Sequence, residues 1–80
     1  MQFKVVYRGK KLLLTTHANM EAEAHGKTIF KVLDVLERGE HIAESKEKSM
    51  AALRERHGMW EVVYVEFPDY FLAIHFKFVR

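Results

Sequence analysis

THANMEAEAHGKTIFKVLDVLERGEH, residues 16–41, decides the fold, because it alone combines helical spacing with start and stop signals. Thr15 or Thr16 can cap a first helix of about residues 18–25, since a hydroxyl there accepts a bond from amides that the first turn leaves unpaired. Gly26 suits the left-handed residue that closes such a helix, and Thr28 can cap a second. In that second helix Ile29, Val32, Leu33 and Leu36 recur at three and four residues with Phe30 beside them, while Lys31, Asp34, Glu37 and Arg38 take the other face. Gly39 is the stop. The pair has one apolar face to bury, and it does not read as a DNA-recognition unit. A recognition helix needs basic or amide side chains along its exposed face, whereas this one exposes mixed charge and neither Asn nor Gln.

Working outward, residues 2–8 alternate, with Phe3, Val5 and Tyr7 on one side and Lys4, Val6 and Arg8 on the other, the period of a half-buried strand. Gly9 and Lys10 permit a tight turn, and Lys11 to Thr16 resumes a β-rich run, so the first sixteen residues predict a hairpin. On the far side, His41 to Ser45 reads as a strand, and Ser45 can cap a short helix in which Met50 and Leu53 share a face and Glu44 pairs with Lys48. The helical propensity of MAALRER supports that helix, while Gly58 and Met59 fit the end of a twisted hairpin arm equally well. From Trp60 the pattern is again strand, with Trp60, Val62 and Tyr64 alternating against Glu61, Val63 and Val65. Pro68 and Asp69 supply a turn before a last strand from Tyr70. Strict alternation there places Leu72, Ile74, Phe76 and Phe78 on one face and Phe71, Ala73, His75, Lys77 and Val79 on the other. The expected fold is α+β, a small antiparallel sheet with a helix pair on one face in the order β-β-α-α-(β or α)-β-β.

Eighty residues make a single domain, 1–80, able to bury about 60–65 % of the surface its unfolded chain exposes. With no cysteine there is no disulfide and no thiolate zinc site, a composition that suits a reducing cytoplasm. The core is plausible, since 49 % of the residues are hydrophobic, and the 30 % that are charged are dispersed rather than blocked. No apolar run approaches the roughly 20 residues that span a bilayer, and neither an anchor nor a signal peptide is expected. A formal charge of +2 does not by itself mark a nucleic-acid binder. Its distribution is more informative: Arg8, Lys10 and Lys11 cluster at the N-terminal turn and Lys77 and Arg80 at the other end, with the acidic residues between. Adjacent terminal strands would merge these cations into one patch.

At THANMEAEAHGKTIFKVLDVLERGE the chain resembles an uncharacterised family of small prokaryotic proteins. Its signature is His-Ala, an Arg three residues after the Ala, Arg-Gly, and a helix ending in Leu-x-x-Gly-Glu. His17, Ala18, Gly26, Leu36, Gly39 and Glu40 match it as they stand, and WEVVYVEFPDYFLAIHF is similar to the family's closing hairpin, so the resemblance covers roughly residues 11–79. That family is similar in layout to the RelE/ParE-type and BrnT-type toxins of toxin–antitoxin pairs, in which a small sheet flanked by helices cleaves RNA or blocks another cellular target. The resemblance thus implies a toxin or toxin-derived protein acting on RNA or the ribosome, with an antitoxin protein as partner. Where the signature has its two arginines this chain has Glu21 and His25. A negative charge beside His17 weakens any phosphate-binding role for the first helix.

Metal-independent RNA cleavage needs a base for the 2′-hydroxyl, a cation for the charged phosphorane and an acid for the leaving oxygen. His17, His75, Lys77 and Arg80 are the candidate catalytic residues, with Tyr64 or Tyr70 in reserve, and Arg8, Lys10 and Lys11 the candidate nucleic-acid contacts. The structural alternative is a sheet histidine bonded to a backbone carbonyl beside two cations that keep a terminal strand soluble. His17, Glu21 and His25 are spaced by four, but the stripe drifts about 40° at each step and lacks the His-Glu-x-x-His order of zinc proteases. The sequence therefore predicts no metal and no cofactor. Ser45 and Ser49 have no nucleophile context, and no glycine builds a phosphate loop. The alternative function is a protein-interaction module that forms a homodimer or binds a partner through its aromatic hairpin faces and exposed first strand.

Overall fold

The computed structural model describes residues 4–80, so Gln2 and Phe3 of the expected first strand lie outside the described residues. The elements are β1 (Val6–Tyr7), β2 (Lys10–Leu14), α1 (Thr16–Ala24), α2 (Ile29–Arg38), β3 (Glu40–Ala43), β4 (Lys48–Glu55), β5 (Gly58–Glu66) and β6 (Tyr70–Val79). The strands form one six-stranded sheet in the order β1-β2-β6-β5-β4-β3. The class is α+β, as expected, but the sheet is mixed rather than antiparallel, because β2 runs parallel to β6 from Lys11 beside Tyr70 to Leu14 beside Ala73. Among the described residues no helix is long and apolar enough to cross a membrane.

Local chemistry explains the first half of the chain. The β1–β2 hairpin pairs Tyr7 with Lys10, so its turn is Arg8-Gly9 rather than Gly9-Lys10. Both turn residues have positive φ, 50° and 78°, the mirror-image turn whose twist matches a hairpin. Thr15 caps α1 by accepting from the Ala18 amide at 3.0 Å, and Thr28 caps α2 by accepting from Phe30 at 3.2 Å. Gly26, at φ 66°, turns the chain between the helices. Gly39 ends α2 where a Cβ would stand 2.5 Å from the Val35 carbonyl oxygen and 2.8 Å from that of Ala52, so glycine is needed for close backbone approach.

Residues 48–55 are strand, and the helix considered for that segment is not formed. β4 pairs antiparallel with β5 along its whole length, from Lys48 opposite Val65 to Glu55 opposite Gly58. Alternation sends Ala51 and Leu53 inward under α2, a burial that outweighs the segment's helical propensity. Ser45 caps no helix; its Oγ accepts from the Lys48 amide at 3.1 Å in the β3–β4 turn.

Val32, Val35 and Leu36 of α2 and Ala22 of α1 close over Leu12, Ala51, Val62, Phe71, Ala73 and Phe76 to form the core. The facing of β6 departs from strict alternation. Val63 pairs with His75 and Tyr64 with Ala73, leaving Ile74 as the extra residue of a β-bulge. Phe71 and Ala73 therefore share the helix-covered face with Phe76, while His75 and Lys77 turn away from it. Pairing with β2 ends at Ala73, and α1 packs against β6 there: the Thr15 amide donates to the Ala73 carbonyl at 3.0 Å.

Candidate functional site

The bulge and the docking of α1 bring together three side chains far apart in sequence. His17 in the first turn of α1 and Glu21 one turn later face the end of β6, where His75 emerges just after the bulge. Glu21 Oε1 lies 3.3 Å from His17 Nε2 and 3.4 Å from His75 Nδ1. The two imidazole rings stand perpendicular with centroids 5.2 Å apart. The Phe76 amide donates to the same Glu21 oxygen at 3.2 Å, so the carboxylate both satisfies a β6 backbone donor and is held between the histidines. His75 Nδ1 is buried and, among the described residues, has no hydrogen-bond partner.

His25 is not part of this cluster. Its ring packs edge-on against Trp60 at 5.6 Å, so the four-residue spacing of His17, Glu21 and His25 does not assemble a site. Glu21, which the sequence marked chiefly as a departure from a family arginine, is the residue that unites the other two. The sequence held no signal for this, because residues 71–74 are all apolar and the bulge shows only in the pairing register and in the burial of Phe71, Ala73 and Phe76.

The terminal cations do not merge into one patch. Because β2 and β6 are parallel, Lys11 stands beside Tyr70, at the opposite end of β6 from Lys77 and Arg80. At about 3.3 Å per residue, Lys11 and Lys77 are separated by roughly 23 Å along the strand. Lys77 and Arg80 are both exposed.

At the Lys11 end, Arg8 and Lys10 contribute to an open cleft of ≈ 810 Å³. Lys46, Ser49, Tyr64, Phe67 and Phe71 also line it, with Glu47 and Glu66. Lys10 is engaged by Glu66 at 2.6 Å and by the Phe67 carbonyl at 3.1 Å, whereas the Arg8 guanidinium stacks over the Tyr7 ring at 5.1 Å. Behind the cleft, His41 links Tyr64 and the end of α2. The Leu36 carbonyl can only accept, so His41 donates to it from Nε2 at 2.7 Å, and in the neutral ring Nδ1 accepts from the Tyr64 hydroxyl at 2.6 Å. Tyr7 also donates to the Leu36 carbonyl, at 3.1 Å. Burial pushes the Tyr7 and Tyr64 hydroxyls above their ordinary pKa, so both remain donors at neutral pH. Lys46 escaped the sequence reading because it lay in the segment whose fold was ambiguous.

No family model, no curated protein and no solved structure matches this chain.

Proposed function

We propose that this chain acts on RNA as a toxin-type or toxin-derived protein, and that a single strand binds in the cleft between the β1–β2 turn, the β3–β4 turn and the start of β6. The observation that carries the reading is the cleft's make-up: Arg8, Lys10 and Lys46 line it with the half-buried Phe67, over a floor formed by the buried Tyr64 and Phe71. Cations that track phosphates, combined with an aromatic face such as that of Phe67 on which a base can stack, are what sequence-tolerant binding of a single strand uses. Two of the three residues nominated as nucleic-acid contacts, Arg8 and Lys10, line it. The resemblance to RelE/ParE-type and BrnT-type toxins supports the same function from an independent direction.

Fluorescence anisotropy with a labelled single-stranded oligoribonucleotide tests the binding. Two to three neutralised phosphates give a slope of log K against log salt of about −1.4 to −2.1. The combined Arg8→Ala, Lys46→Ala variant is expected to weaken binding at least tenfold and flatten that slope. Equal binding by variant and wild type would remove the cleft from the function. Expression of the wild type and of a His17→Ala, His75→Ala, Lys77→Ala, Arg80→Ala variant, scored for growth and RNA integrity, separates cleavage from occupancy alone.

A second reading, self-association, is favoured by the uncovered side of the sheet. Val6, Leu13 and Ile42 point there and remain 52 %, 43 % and 54 % exposed. The molecule measures 34 × 34 × 21 Å, so its broad face projects roughly 1,100 Å², against the ~800 Å² per partner of a standard interface.

A further inference from the structure

We infer that His17, Glu21 and His75 form a binding site for a divalent transition-metal ion of the zinc class, with the fourth coordination position open to solvent. The site goes beyond the RNA reading and does not depend on it. Two imidazole nitrogens and one carboxylate oxygen are a ligand set that zinc accepts when it keeps a position for water or substrate. All three donor atoms lie within 4.8 Å of one another.

The distances match the span of a metal ion better than that of a short shared proton. A charge-assisted hydrogen bond would draw nitrogen and oxygen to about 2.7–2.9 Å. Glu21 Oε1 instead stands 3.3 Å from His17 Nε2 and 3.4 Å from His75 Nδ1. Two ligand atoms each about 2.0–2.1 Å from a tetrahedral ion are separated by about 3.3–3.4 Å. The two histidine–carboxylate edges therefore already have the length that a metal imposes, and His17, on the exposed surface of α1, needs only a side-chain adjustment to close the third.

Two further features point to the same ligand. His75 Nδ1 is buried, has no hydrogen-bond partner among the described residues and stands 3.4 Å from the Glu21 carboxylate, an unsatisfied polar atom whose need a cation held between the two would meet. The Phe76 amide fixes Glu21 Oε1 at 3.2 Å, the outer-shell support that orients a ligating carboxylate. The fold builds both: the bulge at Ile74 re-aims His75, and the end of β2 pairing at Ala73 leaves the Phe76 amide free to reach α1.

The test is titration of the tag-free full chain with zinc and, separately, cobalt(II), by calorimetry, visible absorption and thermal melting, without RNA. One ion per chain is expected, with ligand-field absorption from bound cobalt and a melting temperature raised by zinc. His17→Ala, His75→Ala and Glu21→Gln should each weaken binding by more than about tenfold. Glu21→Gln keeps a carbonyl acceptor for the Phe76 amide, so a metal-free melting temperature near that of wild type shows that the fold is intact when binding is lost. His57→Ala, in the β4–β5 turn, should bind as wild type does. The inference is overturned if wild type takes up no stoichiometric ion, or if the His17, Glu21 and His75 variants bind as tightly as the His57 variant. Because RNA is absent from the titration, that failure is distinct from failure of the RNA reading.

Discussion

Asp34 is held between two cations on its own helix. Arg38 donates to it from Nε at 2.6 Å and from Nη2 at 2.8 Å, a bidentate fork one turn away, and Lys31 approaches at 3.3 Å. The Arg38 fork first, and Lys31 after it, lower the Asp34 carboxyl from 3.8 to about 2. Lys31 also reaches Glu55 at 2.7 Å, so the network ties α2 to β4. A carboxyl depressed by folding stabilises the native state above its unfolded pKa and loses that contribution as pH falls through the folded one. The relevant window is therefore pH 4 down to 2. The full linkage is discounted because the pair is near the surface, leaving about 1 kcal/mol or less. Urea denaturation between pH 7 and 2 should show Asp34→Asn less stable than wild type by that amount at neutral pH, with the difference vanishing near pH 2. An unchanged gap across the whole range would show that packing, not charge, underlies the loss.

Elements differ in how far local chemistry determines them. Both helices were legible, because Thr15, Gly26, Thr28 and Gly39 act on their immediate neighbours and the α2 stripe repeats at helical spacing. Thr15 also acts over a long range: its hydroxyl caps α1 while its amide donates to Ala73 on β6. Thr15→Ala is expected to cost about 1 kcal/mol in chemical denaturation, and Thr15→Ser to retain most of that stability. A serine variant as unstable as the alanine one would assign the effect to the lost methyl rather than to the cap. β4 was not legible, since MAALRER favours helix locally and becomes strand only through burial of Ala51 and Leu53 beneath α2. Nor was the parallel pairing of β2 with β6, which no neighbouring residue signals. The candidate site inherits that split. His17 and His75 were nominated by residue type, and Arg8 and Lys10 by charge. Their grouping required two long-range facts, the bulge at Ile74 and the direction of β2, which together join His75 to Glu21 and separate Arg8 and Lys10 from Lys77 and Arg80.

For the molecule as a whole, the asymmetry of the sheet is the decisive property. One face is closed by α1 and α2, whereas the other carries a strip from Val6 and Leu13 through Leu72 and Val63 to Met50 and Ile42 with no layer above it among the described residues. Lys11, Lys48 and Arg54 alternate with Glu40 and Glu61 around that strip, so a second copy related by a two-fold axis can meet apolar centre with apolar centre and oppose unlike charges at the rim. On the self-association reading, that pairing is what would cover the open face. Light scattering should accordingly give a mass that rises with protein concentration below about 1 mM, a dissociation constant equivalent to about −4 kcal/mol. Leu13→Lys places a charge in the strip at a side chain already 43 % exposed, so the fold should survive while the mass falls to that of the 9.5 kDa chain. Leu13 lines neither the cleft nor the His17–Glu21–His75 cluster. A wild type that stays at 9.5 kDa throughout the concentration range would rule out this face as a contact between copies and leave RNA binding to a monomer.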